Sequence, residues 1–415
     1  MLKYLVDSTI QLIVMMVIVG MILGYVKNVY GQKSSKVMFF VTLFAIACSI
    51  AMAVMKTATN KIDTGTWNLW IYYSSFAGFV LFLIFTAIGK KLKKLYNILP
   101  IIFLAVIIVA QMLYALPDFL IYPHTIMLTE ESLISTVFLT KMSGAIVGLI
   151  LVFVAGWAAN AVTKASTKGI ALLFLSLVLL VTSFKQIAAS FSTLLTRRII
   201  ASNHTIFQIA KFSANNSNLF IYLVLALILI MALLLLIRSL HVNEPYNNPA
   251  QRRKIIFKWR MARRWSWTVV ITVIISVLMM TVIYNIANKE VELSPVEETT
   301  IENGNMYISF EQVSDGHLHR FGYTTDSGTV IRVIVIQKPN SSSYGVGLDA
   351  CDICGETGYY EKDGQVVCNL CDVVMNINTI GFKGGCNPIV IDYSIENGQI
   401  IIPVEGLLEY ESEFK

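Results

Sequence analysis

Charge is scarce in this sequence. Only 14% of its 415 residues are Asp, Glu, Lys or Arg, against 56% hydrophobic residues and a mean hydropathy of +0.67. A soluble globular chain carries about 25% charged residues, so the composition excludes that class and leaves a polytopic membrane protein. Histidine is scarcer still, with five in the whole chain, and none falls inside a long apolar run. Paired histidine ligation of haem within a bilayer therefore has no ligands, which argues against a b-type cytochrome. No Walker A phosphate loop is present, no nucleophile, acid and base constellation supports a hydrolase, and no internal repeat is strong enough for an inverted-repeat transporter. The net charge of +6 does not point to nucleic acid. The basic residues sit in short loops between apolar runs, where they set orientation in a lipid bilayer.

A helix crossing ~30 Å of hydrocarbon needs about 20 mainly apolar residues, and eight stretches qualify, near 9–26, 37–55, 68–88, 97–116, 142–163, 169–190, 217–237 and 266–287. The first is expected to stay as a helix rather than be cleaved as a signal peptide, because Asp7 interrupts its basic start and no small-x-small site closes it. Lysine and arginine recur in alternate connections: Lys27, Lys33 and Lys36; Lys90, Lys91, Lys93 and Lys94; Lys164 and Lys168; and seven between Arg252 and Arg264. These connections are expected in the cytoplasm. Asp118, Glu130 and Glu131 after the fourth span, and Glu290, Glu292, Glu297 and Glu298 after the eighth, are expected outside. Arg197, Arg198 and Lys211 fit least well. An even number of spans then puts both termini on the extracytoplasmic side of the cytoplasmic (inner) membrane.

Within the spans one ionisable residue stands out. Lys185 rises roughly 24 Å from the cytoplasmic end of span six, so it either snorkels to the outer interface or contacts a substrate or quinone. Gly144, Gly148 and Gly156, with Ala155, Ala158 and Ala159, make a face for close helix packing in span five. Asp118, His124, Glu130, Glu131 and His204 in the outer loops offer oxygen and imidazole ligands for a transition metal, or are ordinary polar loop residues.

From residue 289 to 415 the pattern changes to short alternating runs, which reads as a small β-rich domain. MYISF forms one strand, LHRFGYTT and VIRVIVI pair through Asp326-Ser327-Gly328, and IVIDYSI and QIIIPV pair through Asn397-Gly398. The stretch from Gly347 to Pro388 is expected to be irregular and to need something besides a sheet to hold it. Five of the six cysteines lie there. Cys351/Cys354 and Cys368/Cys371 form two Cys-x-x-Cys pairs separated by thirteen residues; two such knuckles close a tetrahedral metal site. Paired disulfides are the competing arrangement, although five cysteines leave one over. Zinc, iron and an iron–sulfur cluster all accept four thiolates. Cys386, in Gly-Gly-Cys-Asn-Pro, is a further ligand, an exchange thiol or a second-site donor. His317 and His319, two apart, would share a strand face and bind a metal or face solvent. Cys48, in the second span, is expected to be a buried, inert thiol.

At GHLHRF, DACDICGETGYY, CNLCD and NTIGFKGGCNPI the chain resembles the FtrD-like family of bacterial membrane iron-sulfur proteins, from about Gly316 to Ile402. The resemblance implies a component of an iron acquisition system, working beside an iron permease, an external metal-binding protein and an ABC-type membrane complex. It implies metal binding by Cys351, Cys354, Cys368, Cys371 and Cys386, with an iron-sulfur cluster or iron as the cofactor and zinc as the alternative. Electron transfer or metal reduction would be the chemistry. A scaffold with a structural zinc site and a transporter in its own right are the rival readings.

Overall fold

The structure, a computed structural model, describes residues 1–59, 62–88, 98–127, 135–201, 203–241, 244–287, 293–339, 341–362, 364–370, 373–383 and 387–414. The chain divides into two compact units, Met1–Asn288 and Lys289–Lys415.

The first unit is helical: α1 (Leu2–Val29), α2 (Gly31–Ala58), α3 (Thr64–Ile88), α4 (Leu99–Leu120), α5 (Tyr122–Met127), α6 (Thr136–Ala165), α7 (Lys168–Thr196), α8 (His204–Asn215), α9 (Ser217–Leu240) and α10 (Pro249–Leu278), the last continued through a π-turn at Met279–Ile283. Eight of these are long and apolar enough to cross a membrane, with α5 extending α4. This is a multi-pass membrane protein. Helix starts follow their caps: the side chains of Ser135, Thr167 and Asn248 accept from the backbone N–H of Phe138, Ile170 and Gln251, and Pro249 takes the first helical position. Short α5 and amphipathic α8 fall in connections expected to be loops.

α1 is the central helix, buried along most of its length. It packs backbone to backbone on α6, where the small residues foreseen in span five lie: a Cβ on Gly20 would meet Gly156 O at 2.0 Å, one on Gly24 would meet Asn160 O at 2.4 Å, and one on Gly148 would meet Ser8 Oγ at 2.1 Å. Asn28 Nδ2 closes the seam by donating to Ser166 O at 2.8 Å. Lipid offers no hydrophobic drive between helices, so close van der Waals packing of this kind carries the association. At one end, Arg197 pairs with Asp63 and donates to Thr66 Oγ1 at 2.6 Å. The pairing holds the Asp63 carboxyl well below the usual carboxylate range and neutralises one of the two arginines that fitted the expected orientation least.

The second unit contains three antiparallel sheets. β1 (Thr300–Glu302), β2 (Asn305–Ser309), β9 (Ser394–Glu396) and β10 (Gln399–Pro403) form one in the order β1-β2-β10-β9; β3 (His319–Thr324), β4 (Val330–Gln337) and β5 (Tyr344–Leu348) form the second; β6 (Tyr359–Lys362), β7 (Gln365–Cys368) and β8 (Val374–Met375) form the third. The hairpin at Asn397-Gly398 has both residues at positive φ, as the favoured two-residue turn requires. Of IVIDYSI only Ser394 and Ile395 fall in a strand, β9. Residues 389–391 instead cover the outer edge of β5, where Leu348 N donates to Ile389 O at 2.8 Å and Ile389 N to Ala350 O at 3.0 Å.

The middle sheet is covered on both faces. Phe321, Ile331, Val333 and Val335 enter one core, while Ile334 and Ile336 enter a second that also contains Cys351 and Cys368. Burial on two sides explains why residues 333–336 of β4 read as a continuous apolar run rather than an alternating one. The cysteine stretch is also less irregular than the sequence suggested, since it holds β6, β7 and β8.

Candidate metal centre

Cys351 follows the end of β5 by three residues, and Cys368 is the last residue of β7. Between them the chain folds into a tight knuckle. Cys351 N donates to Gly355 O at 3.2 Å, Gly355 N to Cys351 O at 2.9 Å, and Cys354 N to Cys351 Sγ at 3.1 Å. Gly355 and Gly358 sit at φ +65 and +76, backbone that a side chain rarely adopts. The turn thus aims a backbone N–H at one sulfur while bringing the second cysteine round to meet it.

The β6–β7 hairpin delivers the third thiol. Cys368 pairs with Tyr359 across the ladder, Cys368 N donates to Val373 O at 3.0 Å, and Asn369 N donates to Gly358 O at 3.0 Å. The Sγ atoms of Cys351, Cys354 and Cys368 then lie within 4.8 Å of one another, with Cys351 and Cys368 buried and Cys354 half-buried. Among the described residues this is the one group of three or more Cys, His, Asp or Glu side chains whose ligand atoms converge so closely. Four tetrahedral thiolates at ~2.3 Å from a metal stand roughly 3.8 Å apart. The spacing, the sulfur donor set and the N–H directed at Cys351 Sγ all suit such an ion. Cys371, three residues beyond the hairpin, and Cys386 lie outside the described residues. The flanks of Cys386 are placed: Ile380 and Pro388 pack on Gly345 and Gly347 of β5, where an added Cβ would come within 2.8 Å of each.

A buried ion network supports the knuckle, and no sequence pattern announced it. Asp349, wholly buried two residues before Cys351, accepts from Arg320 Nε at 2.8 Å, Arg332 Nε at 3.0 Å and Tyr359 N at 2.8 Å. Arg320 also donates to Tyr359 O and, at 2.6 Å, to Ser294 O; Arg332 donates to Glu356 O. β3, β4 and the loop between the two knuckle glycines are thereby tied to one carboxylate. The signal available was strand alternation: Arg332 is paired with Gly322, two residues from Arg320, so both guanidiniums fall on one face.

The two histidines do not form a joint site. His317 precedes β3 and places Nδ1 2.9 Å from Glu361 Oε1, whereas His319 is set between Glu297 at 2.9 Å on Nδ1 and Asp315 at 2.8 Å on Nε2. Hydrogen bonding to Glu361 raises the His317 pKa. Burial acts to lower that of His319, but the hydrogen bonds and charges of Asp315 and Glu297 outweigh it and raise it. The outer loops likewise show no assembled metal site among the described residues. Asp118 pairs with Lys56 at 2.7 Å, His204 lies 3.3 Å from Gln208, and Glu130 and Glu131 are outside the described residues. Cys48 is half-buried in α2 rather than enclosed.

Fold and site together define a multi-pass membrane protein with an appended domain that gathers three thiols capable of holding a metal. Residues 313–414, the greater part of that domain, match the family described as Membrane iron-sulfur containing protein FtrD-like. No curated protein and no solved structure matches the chain.

Proposed function

We propose that this protein is a membrane-anchored metal- or iron–sulfur-binding component of a bacterial iron acquisition system, acting in electron transfer or metal handling at the outer face of the cytoplasmic membrane. The observation that carries this reading is the convergence of Cys351, Cys354 and Cys368 within 4.8 Å, inside the segment that matches the FtrD-like family. Cys371 completes the donor set as the partner of Cys368 in its Cys-x-x-Cys pair, and Cys386 is the fifth thiol. Iron held by thiolates supplies one-electron chemistry. The chain's own contribution is to fix the sulfurs with the knuckle and the Asp349 network, to exclude water with the apolar cluster around Cys351 and Cys368, and to leave Cys354 half-open. An iron permease, an external metal-binding protein and an ABC-type complex are the partners that the family context implies.

A structural zinc site is the second reading, favoured by the near-complete burial of Cys351 and Cys368, 2% and 1% exposed. Ser substitutions at Cys351 and Cys368, each compared with wild type at equal protein level in the source bacterium, test the leading one. Both variants are expected to lose most of the bound metal and to grow poorly on scarce iron. Full metal retention in both would sink the site, and normal growth without metal would remove its link to iron uptake.

A further inference from the structure

The helical unit holds a partly open cavity of ≈ 270 Å³ at the end of the bundle where α1, α3 and α9 begin and α4 and α7 finish. One water needs roughly 10–15 Å³ on this scale, so the space is that of a ligand headgroup. Lys185 lines it, and among the described residues its ammonium has no hydrogen-bond or carboxylate partner. The carboxylate in the wall, Asp118, is already engaged by Lys56 at 2.7 Å. The cavity therefore offers one amine donor without a partner and suits an acceptor oxygen.

The neighbouring Gln186 asks for the opposite group. It is 5% exposed, and its Nε2 donates to Gln111 Oε1 at 3.3 Å, while Gln111 Nε2 donates to Ser75 Oγ at 2.9 Å. Gln186 Oε1 is left with no partner. A buried acceptor without a donor is costly, so an occupant that donates there is favoured. Elsewhere on the wall, Tyr72 and Tyr114 meet edge to face at 5.4 Å, and Ile10, Val14 and Ile221 add apolar surface, which suits a flat ring.

We propose that this cavity binds the headgroup of a membrane quinone. A ring oxygen accepts from Lys185, a hydroxyl of the reduced form donates to Gln186 Oε1, and the ring lies against the tyrosines. An ionised carboxylate or phosphate satisfies Lys185 alone, offering neither the donor nor the ring. Every residue involved belongs to the helical unit, so this site and the cysteine site stand or fall separately.

The test uses the full chain in quinone-free nanodiscs, titrated with decylubiquinone and with menadione while tryptophan fluorescence is followed. Trp67 and Trp70 flank the wall residue Asn68 on α3 and report on the site. Saturable one-to-one quenching by at least one probe is expected, weakened tenfold or more in Lys185→Met with the thermal midpoint unchanged; Gln186→Leu, whose oxygen meets the hydroxyl of the reduced form, is expected to weaken the dithionite-reduced probe tenfold or more and to leave the oxidised one unchanged. If the glutamine variant does not fold, the lysine variant alone decides. Linear, non-saturating quenching by both probes, equal affinity in wild type and Lys185→Met, or saturable citrate binding that displaces the quinones would each overturn the proposal.

Discussion

Asp349 is the residue through which the cysteine knuckle is joined to the rest of its domain, since one buried carboxylate holds Arg320, Arg332 and the backbone of Tyr359 at once. Removing one partner of such a buried group leaves uncompensated charge, at a cost of about 3–5 kcal/mol. Asp349→Ala is therefore expected to destabilise the domain by that order in chemical unfolding and to lower metal content, although no ligand is altered. A midpoint equal to wild type would contradict it. Cys386→Ser addresses the fifth thiol. Impaired growth on scarce iron with the protein folded and inserted is the expected outcome, because a spectator thiol in the same stretch as four other cysteines is a hazard in the oxidising compartment that the proposed orientation implies; normal growth at equal protein level would favour the zinc scaffold. His319 and His317 set a pH dependence. Their folded pKa values are raised, so the stability they contribute is fully present below the ordinary value of about 6.5 and is lost as pH rises through the folded values. Asp315 is lowered: burial works to raise it, but its bonds to the two histidines prevail. Its contribution is present above about 3.9 and lost as pH falls through the folded value. The thermal midpoint is expected to fall between pH 6 and 9, and His319→Asn is expected to flatten that fall. An unchanged slope in the variant would show that the clamp does not couple to folding.

Among the elements, α1 and α6 are the most intimate pair, meeting through Gly20, Gly24, Gly148 and Gly156. Gly20→Leu forces its side chain into the Gly156 carbonyl, and overpacking of this kind costs about 1–3 kcal/mol or more. A lower midpoint and poorer recovery of folded protein from membranes are expected, whereas Gly169→Leu, at a position with open space around it, is expected to behave as wild type. Equal loss in both would remove the seam argument. The small-residue face of α6 was legible in the sequence, though its partners Gly20 and Gly24 on α1 were not; the eight apolar helices were legible too, because lipid forces each span to declare itself through length and composition. The hairpins at 326–328 and 397–398 were legible from their turn residues. Amphipathic α8 was not: its twelve residues carry His204, Gln208 and Lys211 on a mixed background, too short and polar for a span pattern. β6 and β7 were not legible, because YYEK and QVVC are four residues each and do not alternate apolar with polar. The Asp349 network had no local signature at all, since its members come together only through strand register. Of the proposed ligands, the two Cys-x-x-Cys pairs stand out by their spacing, and three of their four members, Cys351, Cys354 and Cys368, converge in the fold.

For the molecule as a whole, orientation and cofactor are the two properties on which the proposed function depends. Ala250 precedes the basic run Arg252–Arg264 and Ser342 lies in the exposed turn before β5. Cysteine placed at Ser342 is expected to react with an impermeant maleimide on intact cells, and cysteine at Ala250 only after lysis, following the alternation of basic connections. Reversal of that pattern would put the metal domain in the cytoplasm and end the proposed role at the outer face. The central claim is that the cysteine domain holds iron rather than a structural ion. Metal analysis of protein purified without oxygen, read together with its visible absorption spectrum, tests this most directly. Iron in stoichiometric amount with sulfur-to-iron charge-transfer bands, both lost in Cys351→Ser, is the predicted result; a colourless protein containing zinc would contradict it.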